Sequence, residues 1–320
     1  MGRYILRRVL ISIPILAIIT ILVFTLVEIA PGDMVSFFIT DETEDYMTEE
    51  DLDALRERLG LNDPPPIRYF KWLVKILQGD FGYSYVESTP VRELLLMRMR
   101  NTLILMGAGL VIGIIVGIPL GIFTALRQYS FFDFFISGLS FIGLSMPAFI
   151  SGIIAMYIFA VKLKWFPAGG MYTPATEKTI GDLLFHLFLP AFILAIMNMA
   201  RNMRYTRFSM LEVLHQDYVI TATAKGMKRW VVINRHALRN ALIPVITIIG
   251  LSIPNLVVGA VFLETIFTWP GMGSLYYTAI VARDYPVIMG ANLLIAIFVL
   301  TANLITDITY ALADPRVRYE

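Results

Sequence analysis

The chain has 320 residues, 57% of them hydrophobic and 16% charged, with a net charge of +1 and a mean hydropathy of +0.70. That leaves too little polar surface for a soluble globule of this length. The absence of cysteine excludes a disulfide framework and a thiolate metal site.

Six stretches contain no Asp, Glu, Lys or Arg: Val9–Val27, Thr102–Leu126, Phe134–Val161, Leu183–Ala200, Ala241–Leu263 and Pro286–Thr306. A helix crosses the hydrocarbon layer in about 20 residues. The expected fold is therefore all-α, a polytopic membrane protein with six transmembrane helices and a small external helical cap. The first stretch follows Arg3, Arg7 and Arg8. It is long for a signal-peptide core, and Glu28-Ile29-Ala30 lacks a small-x-small cleavage pattern, so residues 1–30 read as an uncleaved membrane anchor.

Residues 31–100 form the cap region, with fourteen acidic and eight basic side chains and no spacing that resembles a calcium loop. Thr48 and Asp51 suit the start of a short helix with Leu52, Leu55 and Leu59 on one face, ending at Gly60. After a rigid turn over Asn62–Pro66, Phe70, Leu73 and Leu77 mark a second amphipathic helix that stops at Gly79. In the second membrane stretch, Gly109, Gly113, Gly117 and Gly121 recur every fourth residue, so one helix face admits a neighbouring backbone closely. That neighbour is either another helix of the same subunit or a second subunit. Pro119 predicts a bend beside them.

With the N-terminus inside, the inner segments hold fourteen basic residues and the short outer loops only Lys162, Lys164, Lys178 and Arg283. This bias places both termini in the cytoplasm of a multi-pass protein of the cell (inner) membrane, surrounded by lipid. Residues 101–320 then form a core of five transmembrane helices, with a basic cytoplasmic loop at 205–240.

No Gly-x-x-x-x-Gly-Lys-Ser/Thr stretch is present, so no P-loop for nucleotide is expected. His186, His215 and His236 are too scattered for a metalloprotease helix, and no metal site or nucleic-acid partner is expected. Glu28, Arg201 and Asp307 lie near predicted helix ends, which suits neither a midplane proton relay nor an intramembrane enzyme. Ser145, Ser151, Ser252 and Asn255 are candidates to line a pathway, or else they bond to neighbouring backbones. The chain offers a pathway without an obvious engine, so any energy it uses is expected to come from a partner.

A docking surface for that partner is offered by "TATAKGMKRWVVINRHALRNALIP", Thr221–Pro244, between the fourth and fifth apolar stretches. Ala222, Ala224 and Gly226 give a thin face able to enter a groove, and Lys225, Lys228, Arg229, Arg235 and Arg239 surround it with charge. The competing explanation is that these charges only enforce topology.

The order of residues from Tyr218 resembles the cytoplasmic coupling loop of ABC importer permeases of the dipeptide/oligopeptide/nickel family. The matching positions are Tyr218, Val219, Thr221, Ala222, Ala224, Lys225 and Gly226, then His236, Ala237, Leu238, Arg239, Asn240 and Pro244. "YILRR", "APGD", "GDFGYS", "GIPLG", "FLETIFTWPGMG", "RDYP" and "DPRVR" follow in family order along nearly the whole chain. Ile220 and Thr221 replace the Glu-Ala that opens the general loop, as in the peptide branch, and Met34 replaces a common proline. The resemblance implies a pore built with a second homologous permease, identical or distinct. It also implies two cytoplasmic ATPase subunits that carry the ATP and Mg, and an extracellular solute-binding protein that docks on the cap unless the cap is a lid. No cofactor is expected in this chain, and no catalytic residue. Tyr218, Thr221, Ala222, Ala224, Lys225, Gly226, His236 and Arg239 would meet the ATPase. Peptides are the expected cargo, with oligosaccharide or nickel import, or a stand-alone secondary carrier, as alternatives.

Overall fold

A computed structural model of the chain describes residues 2–29, 61–254 and 261–313, together with Glu50, Asp51, Asp53, Ala54, Glu57 and Leu256. Its helices are α1 (Gly2–Ile29), α2 (Pro65–Leu77), α3 (Val91–Leu126), α4 (Phe131–Ser145), α5 (Ala148–Ala155), α6 (Ile180–Leu214), α7 (Asp217–Ala224), α8 (Arg229–Val231), α9 (Leu238–Ser252), α10 (Val261–Ile266), α11 (Met272–Val281) and α12 (Tyr285–Ala313). Wider π turns extend α5 over Met156–Lys162 and join α8 to α9 over Val232–Ala237. Among the described residues there is no β-strand, only an isolated bridge between Tyr83 and Pro90.

The chain forms two compact units, Met1–Arg100 with Ser274–Leu300, and Asn101–Gly273 with Thr301–Glu320. In the first, α2 begins where Pro64, Pro65 and Pro66 preset the backbone and need no amide donor. It ends at Gly79, whose φ is +83°. Tyr69 from α2 reaches α1, its hydroxyl 2.9 Å from that of Thr20 and its ring edge-on to Phe24 at 5.5 Å. Arg68 pairs with Glu28 at 2.8 Å. This helix is the second of the two expected for the cap. The first falls mostly outside the described residues, although Glu50, Asp51, Asp53, Ala54 and Glu57 are helical. "APGD", Met34 and "DPRVR" also lie outside them.

In the second unit, Leu105, Leu189, Ile193, Leu194, Leu263, Phe267 and Trp269 form a buried apolar core, and α6 packs on α4 and α9. The glycine ladder faces α6. A Cβ at Gly109 would stand 2.5 Å from Leu194 Cβ, at Gly117 2.7 Å from the Met199 carbonyl oxygen, and at Gly121 2.6 Å from the Met203 carbonyl oxygen. In this structure the ladder packs against a helix of the same chain.

Among the described residues, four helices are long and apolar enough to cross a membrane: Ile5–Ile29, Val91–Leu126, Ile180–Leu214 and Tyr285–Thr309. The third apolar stretch does not form the single helix expected. Phe131–Ser145 and Ala148–Lys162 meet at 101°. Pro147 lacks an amide donor and forces Met146 into an extended conformation, φ −86° and ψ 125°, so the helix stops and restarts. The fifth stretch is described at its two ends, as α9 and α10.

Candidate functional site

The basic loop is a folded helical hairpin rather than a loose connector. α6 ends at Leu214, Gln216 turns the chain, and α7 carries Tyr218, Thr221, Ala222 and Ala224. Val219 and Ala222 point inward and are buried with Val232, Ala237 and Ala241 against Met210 of α6 and Ala125 of α3. The thin face read from the sequence is therefore divided. Ala222 belongs to the hairpin's own core, whereas Tyr218, Ile220, Thr221, Ala224, Lys225 and Gly226 are exposed.

Gly226 closes α7. Its φ of +76° follows the pattern of a left-handed helix terminus, and its amide donates to the Thr223 carbonyl at 3.0 Å. Among the described residues no atom lies within 4 Å of where its Cβ would stand. Within this chain the glycine thus serves the backbone rather than close packing.

The two halves of the motif meet. Asn240 donates its amide to the Tyr218 hydroxyl at 2.9 Å and to the His236 carbonyl at 3.3 Å. Asn240 was quoted in the motif but not singled out, because nothing in its spacing reveals a partner 22 residues away. His236 lies in the π turn, half-buried, with a buried Nε2 that makes no hydrogen bond among the described residues. Arg239 is exposed, as are Lys228, Arg229, Arg235 and Trp230, the last 74% accessible.

The serines proposed for a pathway behave differently. Ser145 and Ser252 each donate to the carbonyl four residues back, Phe141 and Ile248, both at 2.8 Å, and Ser252 is buried. Ser151 is half-buried in α5, and Asn255 lies outside the described residues.

Residues missed at the sequence level gather in three places. Glu264 is fully buried and accepts a hydrogen bond from the Thr102 hydroxyl at 2.6 Å, and that hydroxyl accepts from the Met272 amide at 2.7 Å. Trp269 donates from its indole to the Asn101 carbonyl at 2.9 Å. Gly271 sits so close to the Glu264 carboxylate that a side chain there would overlap it. "FLETIFTWPGMG" is thus a polar knot wound on itself. Glu264 stands just past the charge-free stretch that ends at Leu263, so its burial leaves no mark in the charge pattern.

In the first unit, the Ser84 hydroxyl of "GDFGYS" donates to Asp284 of "RDYP" at 2.5 Å, and the Val86 amide donates to the same oxygen at 3.3 Å. Asp284 is buried, and burial followed by the Asp284 carboxylate pushes the Tyr85 phenol above its ordinary value. Asp284→Ala leaves the buried Ser84 hydroxyl and the Val86 amide without their acceptor. It is expected to cost about 2 kcal/mol, read as a lower melting temperature, whereas Asp284→Asn retains an acceptor oxygen and costs less.

The third place is an open cleft of about 880 Å³ lined by residues of α4 and α6, among them Phe134, Phe141, Leu144, Arg201, Arg204 and Tyr205. Arg207 is neutralised there by a two-bond pair with Asp133 at 2.8 and 2.9 Å, and Arg204 lies 5.0 Å from the Phe141 ring centroid. No group of three or more metal-ligating side chains occurs among the described residues.

A family profile described as "Binding-protein-dependent transport system inner membrane component" matches residues 117–319, and its N-terminal counterpart matches residues 1–106. The chain belongs to this family. The permease is 48% identical to the oligopeptide transport system permease protein AppB of Bacillus subtilis over 320 residues, covering all of both chains. It is 37% identical to the dipeptide transport system permease protein DppB of Alkalihalophilus pseudofirmus over 337 aligned positions, again covering both chains in full. A chain of the inward-facing MetNI methionine ABC transporter superposes with a TM-score of 0.55 at 16% identity, covering 69% of this permease and 96% of that chain. At that identity the likeness is one of fold. The family and the full-length relatives show a multi-pass permease component of a binding-protein-dependent transport system.

Proposed function

We propose that this permease imports peptides, paired with a second homologous permease to form the pore. Two cytoplasmic ATPase subunits carrying ATP and Mg drive it, and an extracellular solute-binding protein supplies it. The observation that carries the cargo is the full-length relationship to permeases named for oligopeptide and dipeptide transport. In this reading residues 1–30 anchor the chain, 31–100 form an external cap, and 101–320 form the pathway core.

The loop at 205–240 couples the core to the ATPases. Its exposed Tyr218, Thr221, Ala224 and Lys225 stand on a hairpin whose buried side, Val219 and Ala222, is continuous with the ends of α3 and α6. A push on that surface passes into those helices by direct packing, because a close-packed interior does not deform softly. Lys225 and the neighbouring arginines suit acidic groups or backbone carbonyls on the partner.

Reconstituted with its sister permease, ATPases and binding protein, the complex is expected to accumulate labelled peptide only when ATP is supplied on the ATPase side. The permease alone binds no nucleotide. Uptake of oligosaccharide or nickel without peptide would overturn the cargo, and peptide uptake without ATPase would overturn the engine. Orientation is read separately, in intact cells, from a single cysteine at Trp230, which is open to reagent. Labelling of Trp230→Cys by an impermeant reagent from outside intact cells contradicts the cytoplasmic assignment.

A further inference from the structure

The helix α2 has two apolar aspects, and among the described residues only one is covered. Arg68, Tyr69, Trp72, Leu73 and Ile76 are partly covered, with Arg68 and Tyr69 turned to α1. Ile67, Phe70, Val74 and Leu77 fall at the spacing of a helical stripe and are 46%, 64%, 50% and 79% exposed. Lys71 and Lys75 border that stripe, Lys71 paired with Asp63. An exposed apolar stripe rimmed by lysine marks a surface made for an apolar partner.

Contacts with α1 fix the depth at which this stripe lies. Arg68 reaches Glu28, at the end of α1, and Tyr69 reaches Thr20. These positions are about 12 Å apart along the axis at 1.5 Å per residue. The Tyr69 ring rests on Phe24, about one turn inside the last residue of the charge-free run, Val27. α1 itself exposes Ile18, Ile21, Leu22 and Leu26, as a helix bathed in lipid does. The backbone of α2 therefore stands at the boundary between the hydrocarbon and the headgroups.

From this we infer that α2 is an interfacial anchor, its Ile67–Phe70–Val74–Leu77 stripe covered by acyl chains of the outer phospholipid leaflet. Its lysine stems run up to the headgroups. An amphipathic helix lying in the boundary plane, apolar side down, has this form. The anchor ties the segment ahead of α3 to the membrane surface and fixes the height at which it is presented, independently of the cargo.

The chain has no cysteine, so single sites can be labelled. Phe70→Cys, Val74→Cys and Lys75→Cys, each bearing a nitroxide, are placed in the complete transporter in phospholipid nanodiscs, with Leu22→Cys of α1 as the lipid reference. Collision with oxygen relative to a water-soluble nickel chelate reads depth. The ratio at Phe70 and Val74 is expected to approach that at Leu22 and to exceed that at Lys75 on the order of fivefold. A ratio at both sites equal to that at Lys75 overturns the inference. Protection from the chelate that arises only when the solute-binding protein is added also overturns it, and assigns the stripe to a protein partner. All four positions are exposed, so the labels leave the fold in place.

Discussion

Replacing Gly117 with leucine is expected to remove most of the folded, assembled permease. Replacing Gly107 with leucine, ten residues earlier on the same helix, should do almost nothing. A Cβ at Gly117 would meet the Met199 carbonyl oxygen at 2.7 Å and the Met199 Cα at 3.1 Å. Both are backbone atoms, which cannot rotate away as a side chain can, so α6 as a whole must withdraw from α3. Overpacking of this kind costs about 1–3 kcal/mol where side chains can adjust, and the upper part of that range applies here. In detergent the variant should melt roughly 5 °C or more below the parent. At Gly107 nothing lies within 4 Å of the added Cβ, and leucine is the better helix former. Equal melting of the two variants would mean that the seam between α3 and α6 is loose.

The second large effect is expected at Gly226. An L-residue held in the left-handed conformation costs about 1–2 kcal/mol, with asparagine the most tolerant. Gly226→Ala should therefore fray the end of α7, and Gly226→Asn should largely preserve it. Gly226→Trp carries the same backbone strain as alanine. Among the described residues nothing lies within 4 Å of its Cβ, and residue 226 is exposed. A loss well beyond that of alanine is therefore the signature of a partner surface. If α7 enters an ATPase groove, Gly226→Trp should lower peptide uptake at least about tenfold below Gly226→Ala, since a rigid cleft must give up contacts worth ~1–3 kcal/mol to admit it. Co-purification of the ATPase and uptake by proteoliposomes provide the readouts. If Gly226→Trp and Gly226→Ala behave alike, no tight groove surrounds this position.

Much of this protein was legible in its sequence, because the relevant signals are local. Runs without charge mark four of the long membrane helices, since one uncompensated charge in hydrocarbon is costly wherever it falls in the fold. Three prolines and a glycine bracket α2 because they act on their own backbone. The family was recognisable from the order of its short motifs, and the full-length relatives confirm it.

Tertiary structure decided whatever depends on which distant surfaces meet. A four-residue glycine repeat announces close approach, but its partner, α6, is fixed only by packing. The charge-free stretch Phe134–Val161 reads as one span, and the 101° between its two helices appears only in the fold. The sequence placed Ala222 on a docking face, whereas the folded hairpin turns it into its own core and leaves Ala224 outside. Ser84 and Asp284, 200 residues apart, carry no mark of one another in their spacing. Helical periodicity specifies that a face will be covered, and only the assembled chain specifies by what. Where the described residues supply no cover, as on the outer stripe of α2, the solvent of that face becomes the remaining question.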